Sequence, residues 1–192
     1  FETIAPAVPF WAGTRPYRAL AIQWSCHIEE APGSFRHEEF LDLSGEPPMC
    51  LLTRKLIECL GDEGPVFMWT RYEEGVLKNL VELCPDLAPP VSKIIDRLFE
   101  LHPVVKENYY HPKMLGSWSI KAVMPTINPD MDYAKLEGIR EGTAASEGFI
   151  EAIQPDVSSA RKAELDEQLR RYCRFDTEAM VEIVRFFTQE PR

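Results

Sequence analysis

Leu169-Arg-Arg-Tyr172-Cys-Arg-Phe-Asp176-Thr-Glu-Ala-Met180-Val-Glu-Ile-Val184 is the stretch on which the reading of this chain turns. It continues a run of helix formers from Ala160, and no Gly or Pro interrupts it before Pro191, so the pattern predicts one long final helix. Tyr172 and Asp176 are spaced to stack on one face of that helix. Met180 and Val184 continue the line, and Phe175, Ala179, Ile183, Phe186 and Phe187 widen it into an apolar stripe. Taken alone, Tyr172 reads as a snorkelling phenol and Asp176 as a solvated acid, since buried or perturbed polar groups are the minority case. Partners elsewhere in the chain change that reading.

Outward from this helix, the composition sets bounds. The 192 residues make one domain of ordinary size, spanning 1–192, with 45% apolar and 27% charged residues as in soluble globular proteins. No apolar run approaches the ~20 residues of a membrane helix, and no basic-then-apolar leader opens the chain. Five cysteines at irregular spacings, without a C-x-x-C pair, read as reduced thiols of a cytoplasmic protein, with neither a zinc site nor a disulfide. A net charge of −10 excludes a broad, non-specific grip on nucleic acid. It leaves room for an enzyme that handles one strand end through metal ions, which supply the positive charge while carboxylates supply the ligands.

In chain order, Phe1–Ala5 reads as a strand, Pro6–Pro16 as a Pro-rich loop, and Tyr17–Ile28 as an alternating strand followed by a second at Phe35–Leu43. His27 and His37 fall on strands expected to pair, as solvent-facing histidines without a third ligand. Pro47–Leu60 has helical spacing, Gly64–Trp69 is a short buried strand, and Thr70–Cys84 is a helix with Tyr72, Val76, Leu80 and Leu83 on its core face. Leu87–Leu101 reads as a further helix. In Asn108-Tyr109-Tyr110-His111-Pro112 and Gly116-Ser-Trp-Ser-Ile-Lys121, Ser117 or Ser119 can cap a helix. There Lys121 and the tyrosine rings suit a phosphate and a stacked base; read structurally, they are aromatic core and a solvated Lys. No Gly-rich phosphate loop occurs, so a mononucleotide fold has no support.

The final run resembles the third motif of the DEDD 3′–5′ exonucleases in their Tyr variant, where a Tyr precedes a metal-binding Asp by four residues. With Cys173 after the Tyr and Asp-Thr-x-Ala-Met following, it is closer still to an uncharacterised bacterial domain family of the ribonuclease-H-like superfamily, often fused behind a nuclease domain. In that family the first strand reads Asp-Phe-Glu-Thr. Here Glu2 is present, while the Asp falls before Phe1, and the opening without Met reads as the edge of a longer protein. Two acids one residue apart share a strand face. The second motif, Asn-x-x-Phe-Glu in the family, corresponds to Trp69-Thr-Arg-Tyr72-Glu73, with Trp69 in place of the Asn. By itself Glu73 is an acid favoured at a helix start.

The resemblance implies an α/β, ribonuclease-H-like mixed sheet, with antiparallel first strands and then parallel ones, flanked by helices. The Phe1–Ala5 strand would be central, paired to both Tyr17–Ile28 and Val66–Trp69. It implies two Mg²⁺ or Mn²⁺ ions held by Glu2, Glu73, Asp176 and the upstream acid, with Tyr172 orienting the attacking water. Tyr109, Tyr110, His111 and Lys121 would bind the 3′ end of single-stranded DNA or RNA, with Glu100 a reserve ligand and a fused or partner nuclease domain alongside. Two other classes remain open: a degenerate domain that binds but does not cut, and a plain interaction module.

Overall fold

The computed structural model of the protein describes residues 1–188. Within them a three-stranded antiparallel sheet runs in the order β1 (Glu2–Ile4), β2 (Leu20–Ala31), β3 (Ser34–Leu41). β2 is the organising strand. Its first half is buried on both faces because a helix covers each. On one side Trp24 Nε1 donates to the Leu52 carbonyl of α1 (Met49–Leu60), 3.1 Å away. On the other, fully buried Gln23 donates through Nε2 to the Leu169 carbonyl of the last helix, also at 3.1 Å.

A second, parallel sheet joins β4 (Val66–Met68) to β5 (Leu98–Glu100) through α2 (Tyr72–Leu83) and α3 (Ala88–Ile95). The helix expected over Leu87–Leu101 is therefore cut short. Asp96 and Arg97 close it with turns back to Ser92 and Ile94, and Leu98–Glu100 pairs with β4 instead. Arg97 fixes this corner, its guanidinium reaching the carbonyls of Gly61 at 2.7 Å and Gly64 at 3.1 Å.

The expected pairing of the first strand with β4 is not made; β1 lies at the edge of its sheet. Side chains take its free groups. Ser146 Oγ donates to the Thr3 carbonyl at 2.7 Å, and Thr3 Oγ1 shares a 2.8 Å bond with the Tyr72 hydroxyl. Tyr72 is consequently nearly half exposed rather than on the core face, where Val76, Leu77 and Leu80 sit.

The rest is helical: α4 (Leu101–Asn108), α5 (Ile120–Ile127), α6 (Gly142–Ala152) and α7 (Ser159–Thr188). Ser119, not Ser117, is the cap of α5, accepting from the Ala122 N–H. The 30 residues of α7 span about 45 Å at ~1.5 Å per residue; the expected stop at Pro191 lies outside the described residues. The first half of α7 buries Leu165, Leu169 and Tyr172 in the main core with β2, α1 and α2. Its second half buries Ala179 and Ile183 in a smaller cluster with Val105, Met114, Val123, Met124 and Ile127.

The cysteines correct another expectation. Cys50 and Cys84 form a disulfide, with Cα atoms 5.7 Å apart, tying the first turn of α1 to the end of α2. Antiparallel packing of the two helices brings them within bonding reach, which a separation of 34 residues does not advertise. Cys26, Cys59 and Cys173 are free thiols.

Candidate active site

Three carboxylates from distant parts of the chain converge where β1, the start of α2 and the middle of α7 meet. Glu2 lies on the buried face of β1. Glu73 is in the first turn of α2, where the helix macrodipole favours an acid. Asp176 sits one turn after buried Tyr172, at the seam between the two apolar clusters that α7 serves.

Burial is the leading cause of their electrostatics, lifting all three above the usual carboxylate range. It pushes Glu2 up to about 7, with Asp176 and Glu73 adding repulsion and Lys121 opposing. Glu73 is raised by burial and by Asp176. Asp176 is raised by burial against the pull of the Tyr133 hydroxyl and Lys121.

These observations test whether the residues suit a divalent ion. Glu73 Oε2 is buried with no hydrogen-bond partner. Hard carboxylate oxygens are the donors Mg²⁺ and Mn²⁺ prefer. The donor set fits in kind. Among the described residues, no three His, Cys, Asp or Glu side chains are gathered closely enough to hold an ion as they stand.

Around the acids lies an aromatic frame. The Tyr133 hydroxyl donates to Asp176 Oδ1 at 2.6 Å. Lys121 Nζ lies 5.2 Å from the ring centres of both Tyr133 and Tyr172 and donates to the Arg140 carbonyl at 2.7 Å. Lys121, expected to hold phosphate, is thus committed to the site's frame while its charge steadies Glu2 and Asp176. Burial and the neighbouring Asp176 and Glu2 raise the Tyr172 phenol well above its ordinary range, so it stays protonated and can donate.

Beside the frame opens a groove of about 480 Å³ lined by Trp69, Thr70, His102, Lys106, Trp118 and Lys121, among others. Trp69, in the place of the family's Asn, packs edge-on against His102. Of the expected substrate residues, Lys121 alone lines this groove. Tyr110 is exposed against Trp118, and Tyr109 is bonded to Thr126 Oγ1 at 3.0 Å and packed on Phe186. His111 caps a short turn through Nδ1. Glu100 ends β5 and pairs with Arg71 at 3.5 Å, apart from the three acids in its interactions. Sequence reasoning missed Tyr133, which a short turn delivers, and His102 and Lys106, one turn apart on α4, whose polar face carries no local mark of the groove.

His27 and His37 pack ring to ring at 4.8 Å on the paired strands. They are half-buried and bonded to Thr177 and Ser25 rather than solvent-facing.

A family model described as Domain of unknown function (DUF2779) matches residues 1–119. The chain belongs to that family. The DUF2779 match takes in Glu2, Glu73 and both groove tryptophans, and ends before Lys121, Tyr133, Tyr172 and Asp176. No curated protein and no solved structure matches the chain. Among the described residues, no helix is long and apolar enough to cross a membrane.

Proposed function

We propose that this chain is a ribonuclease-H-like domain that hydrolyses phosphodiester bonds at the 3′ end of single-stranded DNA or RNA, with divalent metal. The observation that carries the reading is the convergence of Glu2, Glu73 and Asp176, all lifted by burial and the two glutamates also by Asp176, beside a protonated Tyr172. Glu2, Glu73 and Asp176 would hold Mg²⁺ or Mn²⁺. The bound ions supply a water acidic enough to attack near neutral pH and charge to stabilise the leaving oxygen.

The chain's own groups do the rest. Tyr172, as a proton donor, orients the attacking water or the phosphate oxygen. Lys121 draws Glu2 and Asp176 toward their ionised forms, against the effect of burial. Trp69 and Trp118 offer ring surface to an unpaired base, and Lys106, without an ion pair among the described residues, offers charge to a phosphate. A cytoplasmic location goes with this reading. The Cys50–Cys84 disulfide weighs against it, and the oxidation state of that pair in protein taken from cells is the check.

The test is removal of 3′ nucleotides from end-labelled single-stranded DNA and RNA in Mn²⁺ or Mg²⁺ by the natural chain. Glu73→Gln should abolish cleavage. If it cuts as well as the parent, Glu73 is no ligand, and Glu100 is the acid to try next.

A second reading, a domain that binds ends without cutting, is favoured by Trp69 in the second motif and by the acids not being gathered around an ion. Binding without metal-dependent cleavage supports it.

A further inference from the structure

Asp176 is held by a group that its own helix does not supply. Tyr133 is buried, and its hydroxyl donates to Asp176 Oδ1 at 2.6 Å. Its ring is fixed from two sides. The Phe175 ring meets it edge-on at 4.8 Å, and Lys121 Nζ lies 5.2 Å from its centre. Its backbone is fixed too, in a single turn whose cap, Asp132, accepts from the Ala134 N–H at 2.9 Å.

We infer that Tyr133 is a positioning residue for Asp176: it holds one carboxylate oxygen and so presents the other to a cation in the cleft. This rests on reading Asp176 as a cation ligand. Deeper still, it assigns a role to the 128–141 segment, which lies outside the DUF2779 match and carries no helix of its own beyond that turn. In metal sites the partner that orients a ligand commonly sets affinity by 10–100-fold.

The experiment is Mn²⁺ titration of the natural chain, read by calorimetry and by loss of the free-ion electron paramagnetic resonance signal, with end cleavage measured separately. Tyr133→Phe keeps the ring and removes the hydroxyl, and should weaken Mn²⁺ binding by roughly 10-fold or more. Phe175→Leu disturbs the packing of the ring but leaves the bond, and should weaken it much less. In an Asp176→Asn background, Tyr133→Phe should add no further loss, because its effect passes through Asp176. Should Tyr133→Phe fail to fold, Asp132→Ala, which loosens the turn under the ring, gives the same readout in milder form.

An unchanged Mn²⁺ affinity in these variants, or equal losses in Tyr133→Phe and Phe175→Leu, overturns the inference and leaves the metal site standing. No Mn²⁺ binding by the parent overturns both. Weakened binding in Tyr133→Phe, with no cleavage by any chain, upholds the positioning role and removes the exonuclease reading alone.

Discussion

The two halves of α7 do different work. The first half, Leu165 to Tyr172, lies in the main core, where the sheet and α6 pack against it and Gln23 and Arg170 bond it to the strands. The second half, from Ala179 on, rests on a few residues of α4, α5 and the turn at Met114, with Phe186 left largely exposed. Asp176 sits where one regime gives way to the other. The lesson is that the acid follows the well-packed half, while most of the groove wall belongs to the sparser one, with Lys121 as the link between them.

That contrast can be attacked at several points. The largest effect is expected at the seam: Asp176→Asn should abolish metal-dependent cleavage, since an amide cannot replace the charge that holds a divalent ion. The same variant should melt at or above the parent's temperature without metal, because it relieves a buried charge. A destabilised but active Asp176→Asn would reverse the assignment.

Next, Leu169→Ala in the rigid half should cost about 3–5 kcal/mol in urea unfolding, the upper range for a fully buried leucine. Ile183→Ala should cost about 2–3 kcal/mol and mainly raise amide exchange in α4 and α5. Equal costs with uniform exchange would erase the distinction between the halves.

Reducing the Cys50–Cys84 bond, which ties α1 to the end of α2 across a 34-residue separation, should cost about 4 kcal/mol. Cleavage by the folded protein should be unchanged. A loss of activity at full folding would tie that corner to the site.

The smallest effect is a pH slope. Glu2 is pushed up to about 7 from an ordinary 4.5, so between those values the folded chain holds a proton that the unfolded chain has lost. Its contribution to stability is therefore present at low pH and lost as pH rises through about 7. Glu2→Gln should remove that slope and gain up to about 3 kcal/mol over the parent at pH 8. His27, which burial lowers to about 4, works the other way, its contribution being lost as pH falls below the ordinary 6.5. The comparison must thus be parent against Glu2→Gln at each pH. A difference that does not vary from pH 5 to 8 would place Glu2 in water.

What the sequence disclosed followed from periodicity. The spacing of Tyr172, Asp176, Ala179 and Ile183 gave the last helix and its inward face, and the alternation through Leu20, Ile22 and Trp24 gave β2. Period failed where elements are short. Leu98-Phe99-Glu100 continues the apolar spacing of α3 closely enough to pass for helix, and only pairing with β4 makes it a strand. It failed again for contacts delivered by turns. Nothing local marks Tyr133 as the partner of Asp176 or brings Lys106 across from Trp118; both depend on how α4, α5 and the 128–141 segment fold over α7. Lys121 stands near the start of a helix that the Ser cap announces, but its carbonyl and ring contacts are beyond a one-dimensional reading.

The placement of the four tryptophans gives the molecule its own optical reporter. Trp11 and Trp24 are buried in the main core, whereas Trp69 and Trp118 are only half-buried and line the groove. Their emission therefore divides into a shielded, blue-shifted pair and a pair that a dissolved quencher can reach. An occupant of the groove will shield the second pair alone, so acrylamide quenching can follow its arrival in unlabelled protein, without any turnover to watch.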